Sequence, residues 1–353
     1  MTSDAYLERL SPDDVGLPEG TRIPFRFAPG RSWSPLVISF PHVGLAWPHD
    51  LRPKPQVDFS RNADFEVHTL YRGIEALGVA TVTAHFSRLV VDLNRAEDDV
   101  AKQLVPDHPA PKPRIRPGIL ASPSHPGWDR PGRGVVWASA MTASSGTTRI
   151  LQPPMPYEAF AARIDRFHRP YYRALELLLE RRRRRFGYAV LLDAHSMPST
   201  VGVDLVLGTL DGSSCADAVA DLAWDALRGT GERRPLLSVR RDDPYQGGEI
   251  VRHFGRPSEG VHALQLEVSR RLYMDERVYR VLQWPRDLRP IDLEAGDDAP
   301  PKGGTPAPDR RRARDLHELI SRVRGLVRAL SGVSPPAAPA ADASEDPPRP
   351  VTT

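Results

Sequence analysis

The sequence predicts a single α/β domain with a mixed, mostly parallel central sheet and helices on its faces. Short apolar runs alternate with longer segments of helical periodicity, which is typical of α/β proteins. Reactive side chains stand at the ends of three predicted strands, and ligands of open α/β sheets gather at the carboxyl ends of strands. The chain has 353 residues, of which 40% are hydrophobic, enough for one large domain or two ordinary ones.

Five short apolar runs predict the strands, each too short for a core helix. They cover residues 35–40, 79–84, 188–192, 203–207 and 261–268. The first run ends at Pro41-His42-Val43-Gly44, where Pro and Gly favour a turn. Helical spacing predicts helices over residues 64–78, 157–186, 214–228 and 310–331. Pro170 divides or kinks the second helix, and Gly78 and Gly187 are suitable C-terminal stops.

Composition along the chain predicts five segments. They are a loosely packed N-terminal arm at 1–34, the main domain at 35–290, a linker at 291–309, a basic amphipathic helix at 310–331 and a disordered Pro/Ala-rich tail at 332–353. Residues 105–135 are dense in Pro, Gly and His and predict an irregular excursion from the domain.

Charge and cysteine content exclude several classes of protein. The net charge of +3 is too small to predict nucleic-acid binding, and the single cysteine, Cys215, excludes an intrachain disulfide framework. No apolar run approaches the roughly 18–20 residues that cross a bilayer, and the first residues do not resemble a secretory signal. We therefore expect a cytoplasmic protein with no membrane or nucleic-acid partner, and leave its oligomeric state open.

The reactive side chains at the ends of the three predicted strands are His42, His195 and Glu267. Catalytic zinc usually takes three protein ligands, and imidazole is a preferred one. A lone histidine is more often a hydrogen-bonded structural residue, and that alternative stays open for each of the two. A glutamate in an apolar strand is costly to bury unless it is paired or functional, so Glu267 is a candidate general base. A strand with one solvated face is the alternative.

Other candidates lie close to these in sequence. Asp193 precedes His195 by two residues, so both should face one side of the strand, where Asp193 either orients the imidazole or caps a turn. Arg88, Asn94 and Arg95 offer donors for a carboxylate and an oxyanion, although a DLNR string alone is a weak signal. Tyr245 lies in a turn-rich loop that either covers a pocket or only connects two elements.

These segments together resemble the N-formylglutamate amidohydrolase family over residues 35–280. The resemblance rests on PHVGL, NADFEVHTLY, SRLVVDLNR, HRPYYRAL, YAVLLDAHSMPS, LGTLDGSSC, GGEIVRHFG and VHALQLEVSRRLYM, in that order. It implies a fold like that of zinc carboxypeptidases and aspartoacylases, with one zinc at the strand ends. Family members hydrolyse N-formylglutamate, an intermediate of histidine degradation, to formate and glutamate.

The resemblance also implies roles for individual residues. His42 and His195 would ligate zinc, and Glu267 would be the base that activates the attacking water. Asn94 and Arg95 match a pair that binds a substrate carboxylate, and Arg88 matches an arginine that polarises the scissile carbonyl.

The third zinc ligand is left between two residues. Carboxypeptidase relatives have a glutamate three residues after the first histidine, where this chain has Leu45. Asp64 is the candidate for that role, with Glu66 as the fallback.

Two departures from the family pattern bear on the substrate. They are Tyr172, where the family commonly has histidine, and Asp243, where it has asparagine. They leave open a zinc hydrolase of another small N-acyl amino acid or a short peptide. A non-catalytic binding protein on the same fold is a further alternative.

Overall fold

The computed structural model describes residues 8–113, 134–144, 146–151, 154–229, 237–282 and 307–332, with only the helical backbone for 307–311. Residues 114–133 of the predicted excursion, and most of the predicted linker and tail, lie outside the described residues. The predicted domain boundaries stay predictions.

A seven-stranded mixed sheet forms the centre of the molecule. Its strands are β1 (Phe25–Ala28), β2 (Leu36–Phe40), β3 (Ala80–Ala84), β6 (Ala189–Met197), β7 (Leu205–Gly208), β8 (Val239–Arg241) and β9 (Val261–Ser269). Their order across the sheet is β1-β3-β2-β6-β9-β7-β8. Strands β3, β2, β6 and β9 run parallel, whereas β1 and β7 are antiparallel to β3 and β9, respectively. All five predicted strands are present.

Two small ribbons lie outside this sheet in the described part of the chain. One pairs β4 (Ser139–Met141) with β5 (Thr147–Arg149), and the other pairs β10 (Met274–Asp275) with β11 (Arg280–Val281).

Helices cover both faces of the sheet. They are α1 (Tyr157–Arg163), α2 (Arg169–Phe186), α3 (Asp217–Arg228), α4 (Glu249–Phe254) and α5 (Ala307–Ser331). Helices α3 and α5 pack on one face, where the even-numbered side chains of β6 point, and α1, α2 and α4 pack on the other. The side chains of a strand alternate between its faces, so both layers draw their cores from the same fully buried strands.

One π-helical turn, Ile164–His168, joins α1 to α2. Pro170 is the second residue of α2 and directly follows this turn, so the helix continues through the proline. Gly187 ends α2 with a φ of 81°, and its N–H donates to the Arg183 carbonyl.

The helix predicted over residues 64–78 is wrong. This segment forms two 3₁₀ turns, Val67–Tyr71 and Ile74–Leu77. Gly73 has a φ of 87° and Glu66 a φ of 60°, and a left-handed residue cannot continue a right-handed helix.

The loosely packed arm predicted over residues 1–34 is also wrong for its described part. Phe25–Ala28 pairs with β3 as an edge strand, and Val15 and Leu17 are buried in the core beneath α2. The high content of Pro and Gly conceals these few apolar side chains in the sequence.

A buried ion pair ties the start of the described chain to α2. Arg182 is 1% exposed and Glu8 6% exposed. The guanidinium donates to both carboxylate oxygens of Glu8, at 3.1 and 2.9 Å. Removing one partner of such a pair leaves an uncompensated buried charge.

We predict that Glu8→Ala lowers the free energy of unfolding by about 3–5 kcal/mol, because Arg182 then stays buried without its counter-charge. Chemical denaturation measures this loss. The matched control is Glu180→Ala on the same helix, which removes a surface partner of Arg183 and Arg184 and should change stability little. Equal losses in the two variants would contradict the prediction.

Candidate metal centre

The turn after β2 places His42 at the carboxyl end of the sheet. Gly44 allows this turn to lie against the chain that follows β3, since a Cβ there would stand 2.3 Å from the Phe86 carbonyl oxygen. The His42 carbonyl oxygen accepts a hydrogen bond of 2.9 Å from the Asp64 backbone N–H. This bond brings the two segments together.

His42, Asp64 and His195 form one buried group whose candidate ligand atoms lie within 4.8 Å of one another. Asp64 Oδ2 lies 2.8 Å from His195 Nδ1 and 3.4 Å from His42 Nδ1. The two imidazole rings are 4.9 Å apart between centroids. The structure thus brings together the three residues predicted as metal ligands.

Two further carboxylates fix the orientation of the rings. His42 Nε2 lies 2.7 Å from Asp92 Oδ1, and His195 Nε2 lies 2.7 Å from Asp193 Oδ2. When each Nε2 carries the proton and donates it to its carboxylate, the Nδ1 lone pairs face Asp64. Asp193 therefore lies on the same face of β6 as His195 and orients its imidazole, as the first of the two alternatives predicted.

This group fits a divalent cation. Within the described part of the chain, His42 Nδ1 is buried with no hydrogen-bond partner. Burial alone would lower the pKa of His195, yet Asp193 and Asp64 hold that pKa well above its usual value. A cation among these nitrogen and oxygen atoms would take the place of that proton. Two imidazoles and one carboxylate are ligands suited to zinc.

Asp92 is the central acceptor of the site, although the sequence pattern did not single it out. Its Oδ2 accepts from Arg88 Nη2 at 2.6 Å and from Trp137 Nε1 at 3.1 Å, while Oδ1 accepts from the Asn94 N–H at 3.0 Å. Burial would raise the pKa of Asp92, but Arg88 and His42 hold it well below the usual range. The signal in the sequence was an aspartate within an otherwise apolar segment, Leu89–Leu93.

Glu267 lies on β9 directly beside His195 on β6, because these two residues are partners in the parallel register. Its Oε1 accepts a hydrogen bond of 3.0 Å from Gln265 Nε2. The pKa of Glu267 is raised to about 8, chiefly by burial; the charge of His195 opposes this rise and the charge of Asp64 adds to it. A carboxyl group with such a pKa can take up and release a proton near neutral pH.

Arg88 is tied to Asp92 through Nε and Nη2, and its guanidinium lies 4.6 Å from the centre of the Trp137 ring. Tyr245 is partly buried beside Met197 and Val206, and burial raises its pKa, with the charge of Glu267 adding to the shift.

The backbone around Asn94 is held from α2 and from the π-helical turn. Tyr172 Oη donates to the Leu93 carbonyl at 2.9 Å, and His168 Nε2 donates to the Arg95 carbonyl at 2.8 Å. The side chain of Asn94 accepts from the Ile250 N–H at 2.8 Å, and its Nδ2 lies 3.1 Å from His195 Nε2. Asn94 therefore adjoins the histidine pair and also caps α4.

Glu66, the fallback ligand, lines a surface cavity of about 580 Å³ with Arg72 and Tyr279, whereas Asp64 belongs to the buried group. Asp243 is 62% exposed and accepts from Arg240 at 2.9 Å, so an arginine on the surface balances its charge.

The family model of N-formylglutamate amidohydrolase matches residues 34–274, which is more than half of the chain. The chain belongs to the N-formylglutamate amidohydrolase family.

Three relatives support this membership. An N-formylglutamate deformylase of Pseudomonas putida is 30% identical over 259 residues, 69% of this chain and 82% of the relative. One of Pseudomonas aeruginosa is 31% identical over 269 residues, 70% and 85% of the two chains. The crystal structure of N-formylglutamate amidohydrolase from Ralstonia eutropha JMP134 matches with a TM-score of 0.60 and 27% identity, covering 87% of this chain and 99% of that one.

Membership in the N-formylglutamate amidohydrolase family confirms the resemblance found in the sequence, and the α/β fold class is confirmed with it. In the described part of this family member, no helix is both long and apolar enough to cross a membrane.

The absence of a side chain at Gly248 leaves room for the Asn94 side chain, since a Cβ at residue 248 would stand 2.2 Å from Asn94 Nδ2. We predict that Gly248→Ala displaces the amide and frees the Ile250 N–H, at a cost of about 1 kcal/mol for the lost cap. Hydrogen–deuterium exchange of residues 249–254 should become faster. Gly325→Ala on α5, where a Cβ meets only ordinary contacts, is the control; unchanged exchange in both variants would contradict the prediction.

Proposed function

We propose that this protein hydrolyses the amide bond of an N-formyl amino acid, with N-formylglutamate as substrate and formate and glutamate as products. The observation that carries the proposal is the buried His42–Asp64–His195 group with Glu267 on the neighbouring strand. The names of the two Pseudomonas relatives support N-formylglutamate in particular. This activity would give the enzyme a role in histidine degradation.

The proposed metal is zinc, held by His42, Asp64 and His195. When bound, it would supply a Lewis acid that polarises the formyl oxygen and makes water easier to deprotonate. With a metal bound, hydrogen bonds from each Nε2 to Asp92 and Asp193 would favour the tautomer in which Nδ1 carries no proton.

Glu267 is the proposed proton carrier. It takes a proton from the water that attacks the formyl carbon, and it then gives a proton to the nitrogen of the departing amine. Its pKa of about 8 lies near neutral pH, which suits a group that first accepts a proton and then releases it.

Arg88 is the proposed donor to the formyl oxygen, which becomes an oxyanion when water attacks the formyl carbon. Among the described residues, Asp92 occupies the Nε and Nη2 of Arg88 but not Nη1. The stacking on Trp137 and the bond to Asp92 hold the guanidinium in place before substrate arrives, as transition-state stabilisation requires.

Asn94, Arg95 and Tyr245 are the proposed substrate-binding residues. A guanidinium and an amide suit the α-carboxylate of an amino acid, and the raised pKa of Tyr245 keeps its hydroxyl a hydrogen-bond donor. The negative charge of Asp243 would disfavour an acidic substrate near it, but Asp243 is exposed and paired with Arg240.

The test of the function is amine release from N-formylglutamate by the purified, zinc-loaded protein. We predict that Glu267→Gln lowers kcat by about 10²–10⁴-fold, because the amide cannot carry the proton. Zinc content, measured in parallel, should stay at the parent value. An active Glu267→Gln variant would exclude Glu267 as the base.

The same assay, run on N-acetylglutamate, other N-formyl amino acids and short peptides, separates the alternatives. Turnover of one of these in place of N-formylglutamate would mean a related hydrolase of another N-acyl substrate. Zinc binding without turnover of any would favour a binding protein on the same fold.

Asp64 and Glu66 provide a matched pair for the third ligand. We predict about one zinc per chain in the parent protein and in Glu66→Ala, and a large loss of zinc in Asp64→Ala, because only Asp64 faces the two histidines. Metal analysis by mass spectrometry after desalting measures this. Retention of zinc by Asp64→Ala together with loss in Glu66→Ala would reverse the assignment.

A further inference from the structure

Arg270 is a buried arginine directly behind the Asp64 carboxylate, just after the end of β9. Its Nη2 lies 3.4 Å from Asp64 Oδ1, and Ser196 Oγ lies 3.3 Å from the same oxygen. The other oxygen, Oδ2, faces the two histidines. The two oxygens of the Asp64 carboxylate therefore face different partners: Oδ2 faces the candidate metal ligands His42 and His195, and Oδ1 faces Arg270.

The same guanidinium also holds the backbone of both segments that carry ligands. Nη2 donates to the carbonyl of Ala63, the residue before Asp64, at 3.0 Å. It also lies 3.4 Å from the carbonyl of Ser196, the residue after His195, while Nε donates to Ser196 Oγ at 3.1 Å. One side chain thus joins the loop of Asp64 to the strand of His195.

Resting on the function proposed above, we propose that Arg270 is a positioning residue for the metal centre, which holds the Asp64 carboxylate with Oδ2 facing His42 and His195. Asp64 needs such support because it lies in a loop between two turns, whereas His195 lies in a buried central strand. Partners beyond the ligands themselves commonly set metal affinity in this way.

The geometry calls for arginine and not merely for a positive charge. The guanidinium is a planar fork whose donors point in several fixed directions, and here Nη1 also donates to Tyr279 Oη at 3.1 Å. A lysine ammonium has one nitrogen and cannot reach Ala63, Ser196 and Tyr279 together. The positive charge alone would repel a metal cation and weaken its binding.

The test compares Arg270→Lys with Arg271→Lys. Both substitutions keep the charge, but Arg271 is half exposed and pairs with Asp204, away from the ligands. Metal-free proteins are titrated with zinc against a chromophoric chelator. We expect the zinc dissociation constant to rise about 10–100-fold in Arg270→Lys and to be unchanged in Arg271→Lys. Thermal unfolding of the metal-free proteins checks that both are folded.

Ser196→Ala supplies a second measurement in case Arg270→Lys does not fold. It keeps the arginine and removes only the hydroxyl between Asp64 Oδ1 and Arg270 Nε, and we expect a smaller rise in the dissociation constant. Parent-like zinc affinity in both variants, with turnover by the parent, would overturn this role and leave the proposed function intact. No zinc binding by the parent would overturn both.

Discussion

The parallel pairing of β6 with β9 is the constraint on which the site depends. It places His195 beside Glu267 and Asp193 beside Gln265, with all four side chains on one face of the sheet. Both strands are buried along their whole length. A slip of one residue would turn these polar groups into the opposite apolar layer, so the packing of the core also sets the spacing of the site.

Burying the ionised carboxylates of the site costs free energy, which their hydrogen-bond and ion-pair partners offset. Asp92 is compensated by Arg88, Trp137 and His42, and Asp64 by Arg270 and the two histidines. A buried charge is stable only when it is paired and hydrogen-bonded. Nε2 of His42 contacts Asp92 and Nε2 of His195 contacts Asp193, so the Nδ1 atom of each ring faces Asp64.

The sequence predicted those features that depend on local pattern. Apolar runs bounded by Pro and Gly located the strands, and His42, His195 and Glu267 stood out because each lies at the end of a predicted strand, where ligands of open α/β sheets gather. Asp92 and Arg270 were missed because their meaning comes from partners far away in the chain, such as His42 and Ala63. The prediction of a helix over 64–78 was wrong because apolar spacing alone does not reveal a left-handed residue. Gly73 has a positive φ, which interrupts the helix.

The π-helical turn between α1 and α2 sets the place of His168 while both helices face the sheet. Each residue of an α-helix advances the side chains by about 100°, and a π-helical turn takes up one extra residue without breaking the helix. Phe160 before the turn and Leu175 after it both pack on the sheet, while His168 at its end reaches the Arg95 carbonyl. Deleting one residue here would restore a regular α-helix with both halves still in phase, so the helix would keep its core contacts, whereas the placement of His168 against the Arg95 carbonyl depends on the extra residue.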